Sequence, residues 1–278
     1  MEESMAKNML AFKEGNETLL NEQTELESNI VVNELPSEFK GYPDGTKVSF
    51  KPITLEELEA LNSDNMDTER AIALLLKSIH CTTLPAQDLY YWDVMYVGIK
   101  RKLLAFGGTK GTLSRRCPYC GATVSKTFAY TDLEFKPIEA RALPIRLDIA
   151  GEQLVFSELT MKEFLQIRTE QGELGVYARM IKNKPFEEAL TLVKGATGVD
   201  IKKLRFVDKQ LDYGLKPFYV DCKHEIQNPD FISETETPQV PKKIKCGNRV
   251  ALEVRSPFEI VFPEDEIDGY NDFEVQYG

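Results

Sequence analysis

The run Cys117-Pro118-Tyr119-Cys120-Gly121 constrains this chain more than any other feature. Two thiolates at that spacing fold back onto one cation, and a glycine after the second cysteine permits the tight turn of a zinc knuckle. A structural zinc takes four ligands, so one knuckle is half a site. The other half is expected in the strand-rich C-terminal region, where Cys222 and Cys246 are the only cysteines. Gly247 follows Cys246 as Gly121 follows Cys120. This reads as a second knuckle split by a 23-residue insertion, Lys223–Lys245, that carries Pro229, Pro238 and Pro241. The expected ligand set is Cys117, Cys120, Cys222 and Cys246 around one structural Zn2+, with His224 as the alternate fourth ligand.

Two other readings compete. Cysteines also pack as small hydrophobes. The CPYC spacing also occurs in dithiol oxidoreductases, where the motif follows a strand and opens a helix. Here Arg115 and Arg116 precede it and strand-like residues follow Gly121, which disfavours redox chemistry. Cys81, beside His80 at the end of an apolar helical stretch, reads as a buried residue. With only two histidines, a His-rich catalytic zinc site cannot be assembled.

Charge sharpens the picture when read by region. Residues 1–28 carry seven acids against two bases, and residues 263–278 carry six acids and no base. The 32 acids and 32 bases of residues 29–262 balance. A neutral body argues against a nucleic-acid partner, which would call for a basic stripe. The acidic ends read as solvated segments or as arms that dock on partners. The longest aliphatic run, Ala71–Leu76, is far short of the roughly 20 residues of a membrane span. The acidic start of the chain does not resemble a signal peptide, so synthesis in the cytoplasm is expected.

Periodicity places a strand at Lys47–Lys51 and a capping box at Thr54 and Glu57. Helices are expected behind that box, from Thr68 to about His80, and from Pro85 to Gly107, the last with Leu89, Trp92, Tyr96 and Ile99 at helical spacing. Gly107–Thr112 reads as a linker and not a phosphate loop, because its order and spacing are wrong. Strands are expected at Thr127–Tyr130, Leu133–Phe135, Ile145–Ile149 and Gln153–Phe156. A second capping box, Thr160 with Glu163, opens helices across about 160–213, and strands return at Pro217–Val220, Val250–Val254 and Phe258–Phe262. The expected fold is α+β: two mainly helical units joined by a small zinc-ribbon-like β element, with flexible acidic termini. The divisions are a flexible acidic arm at 1–35, a strand plus helical unit at 36–116, the ribbon-like element at 117–159 and 215–263, a second helical unit at 160–214, and an acidic tail at 264–278. No hydrolase, kinase or metalloprotease motif is present, and no enzymatic activity is expected.

One resemblance covers residues 47–263. The order is a strand, the helix start Pro52-Ile53-Thr54, the run LPAQDLYYWDVMYVGIKRKLLAFGG, the CPYCG knuckle, DLEFKP at 132–137, a second helical unit, and a late cysteine pair leading to SPFEIVFP at 256–263. This resembles the baseplate hub subunit and hub assembly proteins of contractile-tailed bacteriophages. The resemblance implies a zinc-ribbon-like element between helical units, no catalysis, and a role in building the tail baseplate within the virion after assembly in the host cytoplasm. Its implied partners are other baseplate hub, tail-tube or tape-measure proteins. The excursion between Cys222 and Cys246 departs from the family pattern, in which the second pair lies close together. A rival reading is a zinc-ribbon nucleic-acid-binding or transcription accessory protein, motivated by Lys100, Arg101, Lys102, Lys110, Arg115 and Arg116.

Overall fold

The computed structural model describes residues 29–61, 67–106, 110–167, 172–232 and 241–253. The arm up to residue 28, the strand expected at Phe258–Phe262 and the acidic tail lie outside the described residues.

Three short strands open the chain: β1 (Ile30–Val32), β2 (Val48–Phe50) and β3 (Ile79–Cys81). They form an antiparallel sheet in the order β1-β2-β3, with Val48 opposite Cys81 and Phe50 opposite Ile79. Between β2 and β3 run α1 (Leu55–Leu61) and α2 (Thr68–Ser78), and α3 (Tyr91–Phe106) follows. Val48 and Phe50 point into one core with Ile72 and Leu75 of α2 and Val94, Met95 and Val97 of α3.

Helix α2 ends two residues earlier than periodicity suggests. Ile79 is extended, the Ser78 hydroxyl donates to the Leu75 carbonyl at 2.6 Å, and the chain passes straight into β3. The cap also differs: the Arg70 N–H bonds the Asp67 carboxylate at 2.8 Å, so Asp67 and not Thr68 starts the helix. At α1 the Thr54 hydroxyl accepts the Glu57 N–H at 3.2 Å, but the Glu57 carboxylate turns away to Arg101. Arg101 is buried. It grips both Glu57 oxygens, and it donates to the Lys51 carbonyl at 2.6 Å and the Pro52 carbonyl at 3.1 Å.

The second body begins with a hairpin, β6 (Ile145–Ile149) and β7 (Glu152–Phe156), after β4 (Lys110–Arg116) and β5 (Thr123–Ala129), described below. Helices α4 (Met161–Leu165), α5 (Gly172–Met180), α6 (Phe186–Gly195) and α7 (Val199–Leu211) follow. The capping box at α4 forms fully: the Glu163 N–H bonds the Thr160 hydroxyl at 3.2 Å, and the Thr160 N–H bonds the Glu163 carboxylate at 2.9 Å. Ile149, Leu154 and Phe156 of the hairpin are fully buried against Ala189 of α6, Val207 of α7 and Tyr213.

The architecture corrects one expectation. The chain mixes helices with small antiparallel sheets, but it does not contain two mainly helical units. One body is built on the sheet β1-β2-β3, and the other packs its helices on the hairpin β6-β7. The reason is local. Strands of three to five residues give too short an apolar alternation to outweigh the stronger helical periodicity beside them, and β3 abuts α2 with no breaker residue between.

The two bodies meet at a backbone stitch. The Tyr91 N–H donates to the Leu159 carbonyl at 2.9 Å, and the Met161 N–H donates to the Leu89 carbonyl at 2.8 Å. Half-buried Trp92 touches both cores. A Cβ at Gly214 would sit 2.5 Å from the Trp92 ring, so only glycine lets the chain pass there.

Candidate metal centre

Two hairpins carry the cysteines. Strand β4 pairs with β5 in register Lys110↔Ala129 to Arg116↔Thr123, and the connection between them holds Cys117 and Cys120. Strand β8 (Phe218–Asp221) pairs with β11 (Arg249–Leu252), with Asp221 opposite Arg249. Cys222 leaves β8 and Cys246 precedes β11. The insertion between them forms its own antiparallel pair, β9 (Glu225–Ile232) with β10 (Pro241–Lys245). Glu225 stands opposite Lys245, so the excursion returns to its starting point and leaves the second knuckle closed.

The two knuckles share one hydrogen-bond plan. In the first, the Cys117 N–H donates to the Ala122 carbonyl at 2.8 Å and the Gly121 N–H to the Cys117 carbonyl at 2.9 Å. In the second, the Cys222 N–H donates to the Asn248 carbonyl at 2.9 Å and the Gly247 N–H to the Cys222 carbonyl at 2.9 Å. Gly121 has φ +72° and Gly247 has φ +65°, values that a side chain would strain. The glycine after each second cysteine is thus required by the turn itself.

All four Sγ atoms lie within 4.8 Å of one another. Cys117 and Cys246 are 3.8 Å apart, and Cys120 and Cys222 are 3.5 Å apart. A disulfide needs about 2.05 Å between sulfurs, so none of these pairs is bonded. Four sulfurs placed tetrahedrally at about 2.3 Å from a zinc ion are about 3.8 Å from each other. The 3.8 Å and 3.5 Å spacings lie near that figure and no pair exceeds 4.8 Å, so the donor set fits a tetrathiolate cation site.

His224 is not one of the converging groups. Its side chain is exposed, and its backbone carbonyl accepts the Cys246 N–H at 2.8 Å. Cys81 lies elsewhere, on β3. Asn248, which sequence reasoning did not single out, directs its side-chain N–H at the Cys117 sulfur at 3.8 Å. Its position one residue past the glycine was the available signal.

The electrostatics show why four thiols here call for a cation. The backbone N–H of Cys120, then those of Tyr119 and the Asn248 amide, hold the Cys117 thiol down to about 6 against the opposing effect of burial. At Cys222 the backbone N–H of His224 pulls downward, but burial and the neighbouring sulfurs outweigh it and push the thiol up to about 12. Cys246 is likewise raised, burial and its neighbours overcoming the Asn248 backbone N–H. Four negative sulfurs at this distance repel one another, and a divalent ion removes that penalty.

The sulfurs also complete a meagre core. Around Cys117 and Cys222 the buried apolar residues among those described are Val124, Val250 and Leu252, with Leu113, Phe218 and Val220 packed beside them. So small an apolar cluster, with the Phe128 and Phe218 rings 5.0 Å apart beside it, gives the two hairpins little core of their own.

Away from the cysteines, two carboxylates are buried near the stitch between the bodies. The Asp93 side chain accepts the Ser37 N–H at 3.0 Å and the Tyr42 hydroxyl at 2.7 Å, and Tyr42 in turn accepts the Tyr90 N–H at 2.7 Å. Burial raises Asp93 to about 6 despite these bonds. Among the described residues Glu158 accepts only the Leu159 N–H, at 3.0 Å through Oε1, and burial raises it to about 8. Asp93 thereby pins the 35–42 loop to α3.

Two of the bases that motivated the nucleic-acid reading are interior. Arg101 is committed to Glu57, and buried Lys102 lies 4.3 Å above the Tyr130 ring with its ammonium 3.2 Å from the hydroxyl. Among the described residues no helix is long and apolar enough to cross a membrane. No family model, curated protein or solved structure matches the chain.

Proposed function

We propose that this chain is a non-enzymatic structural or assembly protein of the baseplate hub of a contractile phage tail, with Cys117, Cys120, Cys222 and Cys246 holding one structural Zn2+. The observation that carries the metal part is the convergence of four sulfurs, from residues 117 to 246, at the spacing of a tetrahedral site. Thiolates select zinc among the common divalent ions, and a closed four-sulfur shell leaves no position for a substrate or water. The ion's part is then to tie the two hairpins together.

The assembly part draws on the order of motifs along residues 47–263 and on the acidic ends, and its implied partners are other hub, tail-tube or tape-measure proteins. Two measurements test the reading. The purified chain is expected to contain one zinc per molecule, and it is expected to co-purify with baseplate proteins from infected cells. Zinc-free protein with unchanged folding would remove the metal part, and a chain that never enters tail intermediates would remove the assembly part.

A second reading, a nucleic-acid-binding zinc ribbon, draws on local charge. The described ribbon residues 110–129, 216–226 and 244–253 carry eight Lys and Arg against three acids. Binding of an oligonucleotide that weakens steeply with salt would favour it over the hub reading.

A further inference from the structure

Each sheet of the ribbon has two strands among the described residues, and the outer edge of β4 is the one beside which the described chain ends. Strand β4 is hydrogen-bonded to β5 alone among the described residues, so the opposite row of its N–H and C=O groups is free to pair. That edge borders a groove of about 580 Å3 lined by Thr112–Arg116 of β4 and by Leu252 and Glu253, where β11 ends. Arg115 and Arg116 give the groove its charge. Arg115 donates one N–H to the Ala251 carbonyl at 3.1 Å, and exposed Arg116 makes no ion pair with any described residue.

The remaining chain starts at this groove. Twenty-five residues follow Glu253, and they divide into an alternating stretch with Phe258, Ile260 and Phe262 and then a run with Glu264, Asp265, Glu266 and Asp268. Nine residues, 254–262, extended at about 3.3 Å each, reach roughly 30 Å, enough to turn back along the seven residues of β4. The charges also complement each other, since residues 263–278 carry six acids and no base while the ribbon is the basic part of a neutral body.

We propose that the open edge of β4 and its arginine-lined groove are the docking site of the chain's own C-terminal segment, with Phe258–Phe262 adding to the edge and Glu264–Glu266 meeting Arg115 and Arg116. Adding a strand satisfies the free backbone groups of β4, and the side-chain alternation and charge set the register. Docking in this way also covers an edge that would otherwise recruit a foreign strand. The inference goes beyond the hub reading and stands or falls without it.

The test is amide hydrogen exchange at residues 110–116, read by mass spectrometry on the full-length, zinc-loaded chain. In the wild type the outward amides of β4 are expected to exchange about tenfold more slowly than in a Phe258→Ser, Ile260→Ser, Phe262→Ser variant. The Arg115→Glu, Arg116→Glu variant is expected to lose the same protection, and adding Glu264→Lys, Asp265→Lys and Glu266→Lys to it is expected to restore it. Equal exchange in the wild type and the triple-serine variant overturns the proposal. Protection that disappears on dilution assigns the groove to a second copy of the chain and overturns docking within one molecule. A single-stranded oligonucleotide that protects β4 as well in the wild type as in the triple-serine variant assigns the groove to nucleic acid instead.

Discussion

The sulfur of Cys117 lies 3.8 Å from the sulfur of Cys246, across 129 positions of sequence. Closing so long a loop costs several kcal/mol of chain entropy. Among the described residues the buried aliphatic side chains around the sulfurs, Val124, Val250 and Leu252, supply little apolar area to offset it. A bound cation would change that balance, since structural zinc contributes on the order of 10 kcal/mol to the folding of small metal-binding peptides.

Replacing one sulfur should therefore loosen the two ribbon hairpins from each other. Cys222→Ala is expected to lose bound zinc and lower the thermal midpoint, while His224→Ala keeps wild-type zinc content, because only the former side chain points at the other sulfurs. Elemental analysis with circular dichroism melts checks it, and zinc lost from His224→Ala would reassign the fourth ligand.

Glu158 ties stability to pH. Burial holds its folded-state pKa at about 8, above the 4.5 of an ordinary glutamate, so the folded chain keeps a proton that the unfolded chain releases. Its contribution is fully present below about 4.5 and declines as pH rises to about 8. Each tenfold difference in proton affinity between the two states is worth about 1.4 kcal/mol, so the decline is on the order of a few kcal/mol. Glu158→Gln is expected to flatten the urea-unfolding free energy across that window, and a slope unchanged in the variant would assign the dependence elsewhere.

Arg101 is buried and Glu57 partly so, and each partner leaves the other unpaired if removed. Arg101→Ala is expected to cost about 3–5 kcal/mol, because it strands the Glu57 carboxylate and the Lys51 and Pro52 carbonyls. Chemical denaturation measures it directly, and a loss under about 1 kcal/mol would mean that the pair behaves like one at the surface.

Gly214 is fixed by a neighbour rather than by its own turn. Gly214→Ala would press a methyl group into the Trp92 ring, at an expected cost of about 1–3 kcal/mol. Trp92 is the one tryptophan of the chain, so its fluorescence should shift in the folded variant. An unchanged spectrum and stability would mean that the ring moves freely.

The first knuckle was legible because its chemistry is local: Cys117, Cys120 and Gly121 are written within five residues, and Gly121 and Gly247 take the positive φ that the turn demands. The Thr160–Glu163 cap and the β6 and β7 strands were legible for the same reason. Three-dimensional contact decided the rest. Whether Ile79–Cys81 continues a helix or becomes a strand depends on β2 waiting opposite it, and no residue in the run says so. Lys100–Lys102 reads as a solvated basic run until packing buries two of the three, and Asp93 is one acid among 45 until Ser37 and Tyr42 close over it. Sequence by itself determined the short-range turns, because a knuckle's backbone bonds act between neighbours, while the meeting of the two cysteine pairs is a long-range contact. Only the tertiary structure decided which body each strand joins and which charges lose their water, because burial is a property of what the rest of the chain brings alongside.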